Sequence, residues 1–183
     1  MKHQIIAFSG SLRKESYTTK LIKAFQKSAP AGITVEIIDI SNLPFINEDL
    51  ENDLPQAVKD LHEKIKKADA VLLATPEYNR SYSPVLKNAI DWGSRPDGKN
   101  SWDGKPADVI GCSPYRHGGF GAVNHLRQVM TYVNMLTMQQ PEFYLEEIAE
   151  VLDDKGNINN DKAQKYIDNF WTEFVKWIEK FIQ

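Results

Sequence analysis

The chain has a single cysteine, Cys112, so no disulfide can form within it. Such cysteine usage suits a reducing, cytoplasmic setting. No charge of one sign dominates: 22 basic and 25 acidic residues leave a formal net charge of −3. With the basic residues scattered, that balance argues against a nucleic acid or a membrane surface as partner. Long apolar runs are missing too. The first, Ile5 to Phe8, is too short for a signal-peptide core or a membrane span. The four histidines, His3, His62, His117 and His125, show no metal-ligand spacing with cysteine or carboxylate neighbours, so no metal site is expected. Linkers, repeats and low-complexity segments are also absent. What remains is a chain of 183 residues, 42% apolar and 26% charged. That is the make-up of one soluble globular domain over residues 1–183, with apolar residues enough for a sizeable core.

Hydrophobic periodicity alternates between strand and helix along the chain. Ile5–Phe8 is expected to be a buried strand ended by Gly10. Leu21, Ile22 and Phe25 recur at helical spacing behind Ser16, and Pro30-Ala31-Gly32 closes that helix. Val35, Ile37, Ile38 and Ile40 form a second strand. Pro55 suits the first turn of a helix through Val58, Leu61 and Ile65. Ala70–Ala74 is continuously apolar, as in a strand covered on both faces. Pro84 opens a helix with Leu86, Ala89, Ile90 and Trp92, and a Gly/Pro/Asp-rich loop runs from Gly93 to Pro106. Val109–Cys112 is a fourth strand, and a glycine-rich turn at Gly118–Gly121 leads into a helix with Leu126, Val129, Met130 and Val133. Met135–Met138 makes a short fifth strand. The tail from Asp161 to Gln183 is a long amphipathic helix with Tyr166, Ile167, Phe170, Phe174, Trp177, Ile178 and Phe181 facing inward. Alternating elements mean right-handed crossovers and a parallel sheet. The expected fold is α/β: a flavodoxin-like, doubly wound, five-stranded parallel sheet of order 2-1-3-4-5.

Ligands of such sheets bind beyond the carboxyl ends of the strands, where the winding reverses. Three loops meet there. Ser9 to Thr18 joins a strand to a helix N-terminus, whose free N–H groups and dipole attract anions. Ser11, Ser16 and Thr18 add hydroxyls, and Arg13 can fork onto phosphate oxygens. The loop is neither a Walker A nor a Gly-x-Gly-x-x-Gly turn, and its hydroxyls suit a terminal phosphate monoester better than a pyrophosphate. Taken alone, it reads equally as a helix start capped by Ser16 with Arg13 in solvent. The second loop, Pro76 to Pro84, has two prolines that fix its backbone and a flat wall in Tyr78. Tyr82 can pack over a helix end, and Glu77 can cap or orient the loop. The third, Ser113 to Gly121, has glycines that let backbone approach a ligand closely, or that simply make a flexible turn. Cys112 and the C-terminal aromatics read as core.

The stretches Gly10-Ser11-Leu12-Arg13-Lys14-x-Ser16 and Pro76-Glu77-Tyr78-Asn79-x-Ser81-x-x-Pro84-x-Leu86-Lys87-Asn88-Ala89-Ile90-Asp91-Trp92-x-Ser94-Arg95-Pro96 resemble the NADPH-dependent FMN reductase family. Gly104-Lys105-Pro106 and Gly118-Gly119…Leu126-Arg127 match it as well, so the likeness runs from the first strand to about Glu142. The family includes FMN, quinone, azo-dye and chromate reductases. The resemblance implies an enzyme that binds FMN and takes NAD(P)H as co-substrate in a two-step, ping-pong exchange with a small-molecule acceptor. It implies that Ser11, Arg13, Ser16 and Thr18 hold the FMN phosphate. It places Pro76, Glu77, Tyr78, Asn79 and Ser81 along the isoalloxazine, with Ser113, Gly118 and Gly119 closing the other side. Catalysis would be flavin-centred, with no side chain required as acid or base. Arg13, Arg80 and Arg116 are also candidates for the nicotinamide cofactor's phosphates, against flavin-phosphate contacts or solvated charge. The Leu86–Trp92 helix would lie at a homodimer interface, and some members are tetramers. Thr18 stands where the family usually has Asn and keeps a hydroxyl donor for the phosphate; Tyr115 stands where many members have Gly and Gly121 where many have Arg, which leaves the third loop's shape open. The rival readings are a flavodoxin-type electron carrier, disfavoured by Arg13, Lys14, Arg80 and Arg116 near the flavin, and a flavin-binding regulatory protein.

Overall fold

The computed structural model describes residues 2–182. Strands β1 (His3–Ser9), β2 (Ile33–Ile38), β3 (Ala70–Thr75), β4 (Pro106–Cys112) and β5 (Leu136–Thr137) pair in parallel in the order 2-1-3-4-5. A further strand, β6 (Phe143–Leu145), also pairs in parallel with β4. β3 and β4 are buried at every residue and β1 at all but Gln4, which is why these stretches are apolar runs rather than alternating patterns.

Helices α1 (Tyr17–Lys27) and α6 (Asp161–Glu179) cover one face of the sheet, with Phe25, Phe170, Trp171 and Phe174 in that core. On the other face lie α2 (Gln56–Lys67), α3 (Pro84–Gly93) and α4 (Phe120–Tyr132), packed around Phe8, Trp92 and Trp102. A short α5 (Ile148–Val151) precedes α6. Caps fix the helix starts where the sequence offers them. Ser16 accepts from Thr19 N–H, Ser83 from Leu86 N–H ahead of Pro84, and Asn160 from Ala163 N–H.

Several boundaries differ from expectation. β2 stops at Ile38, although Ile40 is still buried. Pro55 caps α2 from outside it rather than sitting in its first turn. β4 begins at Pro106, and β5 is only Leu136–Thr137. α6 ends at Glu179, so Phe181 lies past it and is 44% exposed, while Trp171 turns inward instead. Gln183, assigned to that helix from sequence, falls outside the described residues.

β6 exists because β5 leaves the sheet edge early. β5 pairs with Pro106 and Ala107, and β6 with Ile110, Gly111 and Cys112. Between them, Asp108 and Val109 have no strand neighbour on that side among the described residues. Arg127 of α4 fills the break: its guanidinium donates to Asp108 Oδ1 at 2.8 Å and to the Met138 carbonyl at 2.7 Å. Burial pushes the Asp108 carboxyl up to about 8, against the downward pull of Arg127.

Candidate functional site

The winding reverses between β1 and β3, since β2 lies outside β1 and the chain then crosses back. The loops after β1, β3 and β4 therefore share one end of the sheet. Gly10 ties the first two together: its N–H donates to the Ala74 carbonyl at 2.8 Å. A Cβ on Gly10 would stand 2.7 Å from Pro76 Cδ and 2.9 Å from Ser83 Oγ, so no side chain fits.

In the first loop a hydroxyl cluster locks the turn into α1. Thr18 Oγ1 is 2.8 Å from both Ser9 Oγ and Ser16 Oγ, and Thr19 Oγ1 donates to Ser9 Oγ at 2.9 Å. Ser16 and Thr18 are buried, so these hydroxyls brace the loop from beneath. Above them, the N–H groups of Tyr17 and Thr18 have no acceptor among the described residues. Arg13 is exposed, and Ser11 Oγ accepts from its N–H at 3.3 Å.

The second loop is a tight turn. Tyr78 and Ser81 exchange two backbone hydrogen bonds of 2.9 Å across Asn79 (φ 50°) and Arg80 (φ 66°). Two successive positive φ values without a glycine are costly backbone that its surroundings must hold. Glu77 does so. Its Oε2 accepts from Gly121 N–H at 2.9 Å and Ala122 N–H at 3.3 Å, while its Oε1 takes Arg80 at 3.1 Å. The carboxylate is thus the anion at the α4 N-terminus, where Gly119 offers no side-chain cap. Ser81 Oγ turns to His125 Nδ1 at 3.0 Å, and the Tyr82 ring packs edge-on against His125.

In the third loop, Ser113 N–H reaches the Leu145 carbonyl of β6 at 3.0 Å. Gly118 has φ 52°, and a Cβ there would lie 2.7 Å from the Tyr144 carbonyl carbon. Gly121 likewise leaves room for Glu77, whose Oε2 would be 3.1 Å from a Cβ.

These loops enclose a crevice of about 240 Å³. Ser11, Arg13, Tyr17 and Thr18 line one end; Pro76, Glu77 and Tyr78 line another wall; Cys112, Ser113, Pro114 and Tyr115 complete it. A second cavity of about 380 Å³ adjoins it through Glu77, Ser113 and Tyr115, and adds Asn79, Arg80, Arg116, His117 and Gly119. Of the sequence-predicted residues, Ser11, Arg13, Thr18, Pro76, Glu77, Tyr78 and Ser113 meet at the crevice, and Asn79 and Gly119 at its neighbour. Ser16, Ser81 and Gly118 border neither cavity. Tyr17 and Pro114 were missed; an aromatic at the first helical position after the cap was the available signal for Tyr17. Burial pushes the Cys112 thiol up to about 12, so it stays a protonated, inert thiol beside the crevice.

The arrangement fits FMN. One end offers unpaired N–H groups, a helix dipole and Arg13 for a phosphate dianion. The other offers flat, exposed walls in Tyr78 (44% exposed) and Tyr115 (78% exposed), between the rigid Pro76 and Pro114.

No helix of the described residues is long and apolar enough to cross a membrane. The family model described as NADPH-dependent FMN reductase matches residues 3–150. A quinone reductase from Pseudomonas putida is 43% identical over 97% of this chain and 95% of its own length. A 2-hydroxy-1,4-benzoquinone reductase from a Burkholderia species is 38% identical, over 97% of each chain. Among solved structures, the flavoenzyme NAD(P)H:(acceptor) oxidoreductase FerB from Paracoccus denitrificans superposes with a TM-score of 0.93, at 42% identity and over 98% of both chains. The strand order, the three converging loops and these relatives agree: the chain is an oxidoreductase and belongs to the NADPH-dependent FMN reductase family.

Proposed function

We propose that residues 1–183 form one FMN-binding domain that passes two electrons from NAD(P)H to a quinone or a comparable small acceptor. The carrying observation is the crevice where an unpaired helix N-terminus with Arg13 meets the Tyr78 and Tyr115 walls. Bound FMN supplies the hydride-accepting and hydride-donating ring. The protein binds and orients it. Ser11, Arg13 and the Tyr17 and Thr18 N–H groups take the phosphate, with the Ser16 and Thr18 hydroxyls fixing that loop. Pro76, Glu77, Tyr78 and Asn79 frame the ring on one side, and Ser113, Gly118 and Gly119 on the other. Ser81 holds the second loop against α4 through His125. In this reading the nucleotide and the acceptor use the flavin crevice in turn, a ping-pong order. Similarity to quinone reductases supports a quinone as acceptor, and the free thiol of Cys112 suits the cytoplasm.

The reading extends to a homodimer, which in turn can pair into a tetramer, through the face where α3 meets α4. A groove of about 1020 Å³ runs there, bordered by Lys87 and Asp91 of α3 and by Val129 and Tyr132 of α4. Trp92 is not part of that face. It is fully buried, and its indole N–H donates to the Pro44 carbonyl at 2.7 Å.

The test is the absorption spectrum of the purified protein, followed by NAD(P)H consumption with excess benzoquinone. Flavin bands and catalytic turnover are expected. FMN-loaded protein that leaves NADH and NADPH unconsumed overturns the reductase reading and favours a one-electron carrier.

A further inference from the structure

The phosphate loop carries one charge of the wrong sign. Glu15 is the sole carboxylate between Ser9 and Thr18, and it directly precedes Ser16, the cap of α1. A carboxylate there repels a phosphate dianion and competes with it for the positive end of the helix dipole.

That charge is met by Lys20, one turn further along α1. Its ammonium lies 3.5 Å from Glu15 Oε2 and donates to Asp154 Oδ1 at 2.6 Å. Only 11% of the Lys20 side chain is exposed, whereas Glu15 and Asp154 both stand in solvent. A lysine is rarely buried to that degree, and close to a helix N-terminus its charge opposes the dipole. The two carboxylates offset both costs. The hydrogen bond to Asp154 raises the ammonium above its ordinary pKa, against the opposing effect of burial, so Lys20 stays charged. The same ammonium lies 5.5 Å from the centre of the Tyr17 ring. Tyr17 in turn borders the flavin crevice, at its proposed phosphate end.

Asp154 is held in place by its own turn. Asp153 Oδ1 accepts from the Lys155 and Asn157 N–H groups at 2.9 and 2.7 Å. Lys27 Nζ, at the far end of α1, donates to the Lys155 carbonyl at 2.8 Å. Gly156 (φ 74°) lies so close to α1 that a Cβ would stand 2.7 Å from the Lys20 carbonyl oxygen. The turn at residues 153–157 is therefore braced along α1 and presents a carboxylate to Lys20 from a fixed position.

We propose that Lys20 is a positioning residue for the flavin phosphate: it compensates Glu15 within the phosphate loop and fastens the start of α1 to the turn at residues 153–157. The inference rests on the FMN reading above. Lys20 acts through Glu15 and Tyr17 and touches neither substrate nor ring.

The test titrates the full chain, freed of flavin, with FMN and with riboflavin, which has the same ring and no phosphate. In Lys20→Met the loop keeps Glu15 uncompensated, and the Kd for FMN is expected to rise roughly tenfold, the scale of one free charge beside a dianion. The Kd for riboflavin is expected to stay within about twofold of wild type. Equal losses for both flavins mean a site deformed as a whole and overturn the inference, as does an unchanged Kd for FMN. Lys20→Arg is expected to retain FMN binding. Glu15→Gln added to Lys20→Met is expected to recover it, because the repelling charge is gone; no recovery overturns the inference. Glu15→Gln alone alters an exposed side chain and tests the same point without disturbing a buried one. It is expected to leave the Kd for FMN at or below the wild-type value, and a weaker complex overturns the inference. Wild-type protein that binds neither flavin overturns the FMN reading instead.

Discussion

Arg13 shows how one side chain gains meaning from its neighbours. It is exposed and makes no side-chain hydrogen bond among the described residues, as a solvated surface charge would. Its position changes that. It borders the same crevice as the unpaired N–H groups that open α1, so its guanidinium and the helix dipole point their positive ends at one space. Arg13→Ala is expected to weaken FMN binding by about 1.5–3 kcal/mol, the value of a hydrogen bond to a charged group. Fluorescence titration of apoprotein with FMN measures it; an unchanged Kd removes Arg13 from the phosphate site. The sequence showed this arginine and Ser16 because strand, hydroxyl-rich loop and helix start are local signals. It did not show which acidic residue would close α4. Glu77 and Gly121 lie 44 positions apart, and only the meeting of two loops brings them together.

At the scale of elements, the sheet's β4 edge was the least legible part. Phe143–Leu145 is too short to declare a strand, and Gln140-Pro141-Glu142 before it reads as loop. The pairing is visible only once β5 is seen to stop after Thr137. The apolar runs Ile5–Phe8, Ala70–Ala74 and Val109–Cys112 were legible because burial on both faces favours apolar side chains. The break between β5 and β6 depends on Arg127 and Asp108, whose carboxyl is fully buried. Asp108→Ala removes one acceptor of the Arg127 guanidinium and is expected to cost about 1.5–3 kcal/mol in urea denaturation. The pair also has a pH signature. The folded protein holds the Asp108 proton up to about 8, whereas the unfolded chain releases it near 3.8. The unfolded state therefore binds fewer protons in that window, and stability falls as pH rises from about 4 to 8. Asp108→Asn is expected to flatten that slope; an identical slope in the variant places the titration elsewhere.

Across the whole molecule, the sheet sets out two kinds of surface. One end gathers the loops into the crevice, and the α3–α4 flank leaves a broad groove. Sequence periodicity gave the apolar residues of α3 without saying which way they face, so an interface through Leu86–Trp92 looked self-contained. Packing resolves it: Leu86, Ala89, Ile90 and Trp92 all face the core. An acidic residue at Trp92 would unfold the protein rather than report on its assembly. Tyr132 is the informative position. It ends α4, borders the groove and is 91% exposed, so the fold does not depend on its ring. A large aromatic left in water beside Val129 and Ile46 is the sort of residue that anchors an interface. Tyr132→Asp is expected to weaken the proposed dimer by roughly 2 kcal/mol or more, with circular dichroism and melting of the monomer unchanged. Sedimentation velocity across a concentration series decides it. A dimer that survives the substitution undiminished moves the interface off this flank, and a wild-type chain that sediments as a monomer at every concentration removes the dimer.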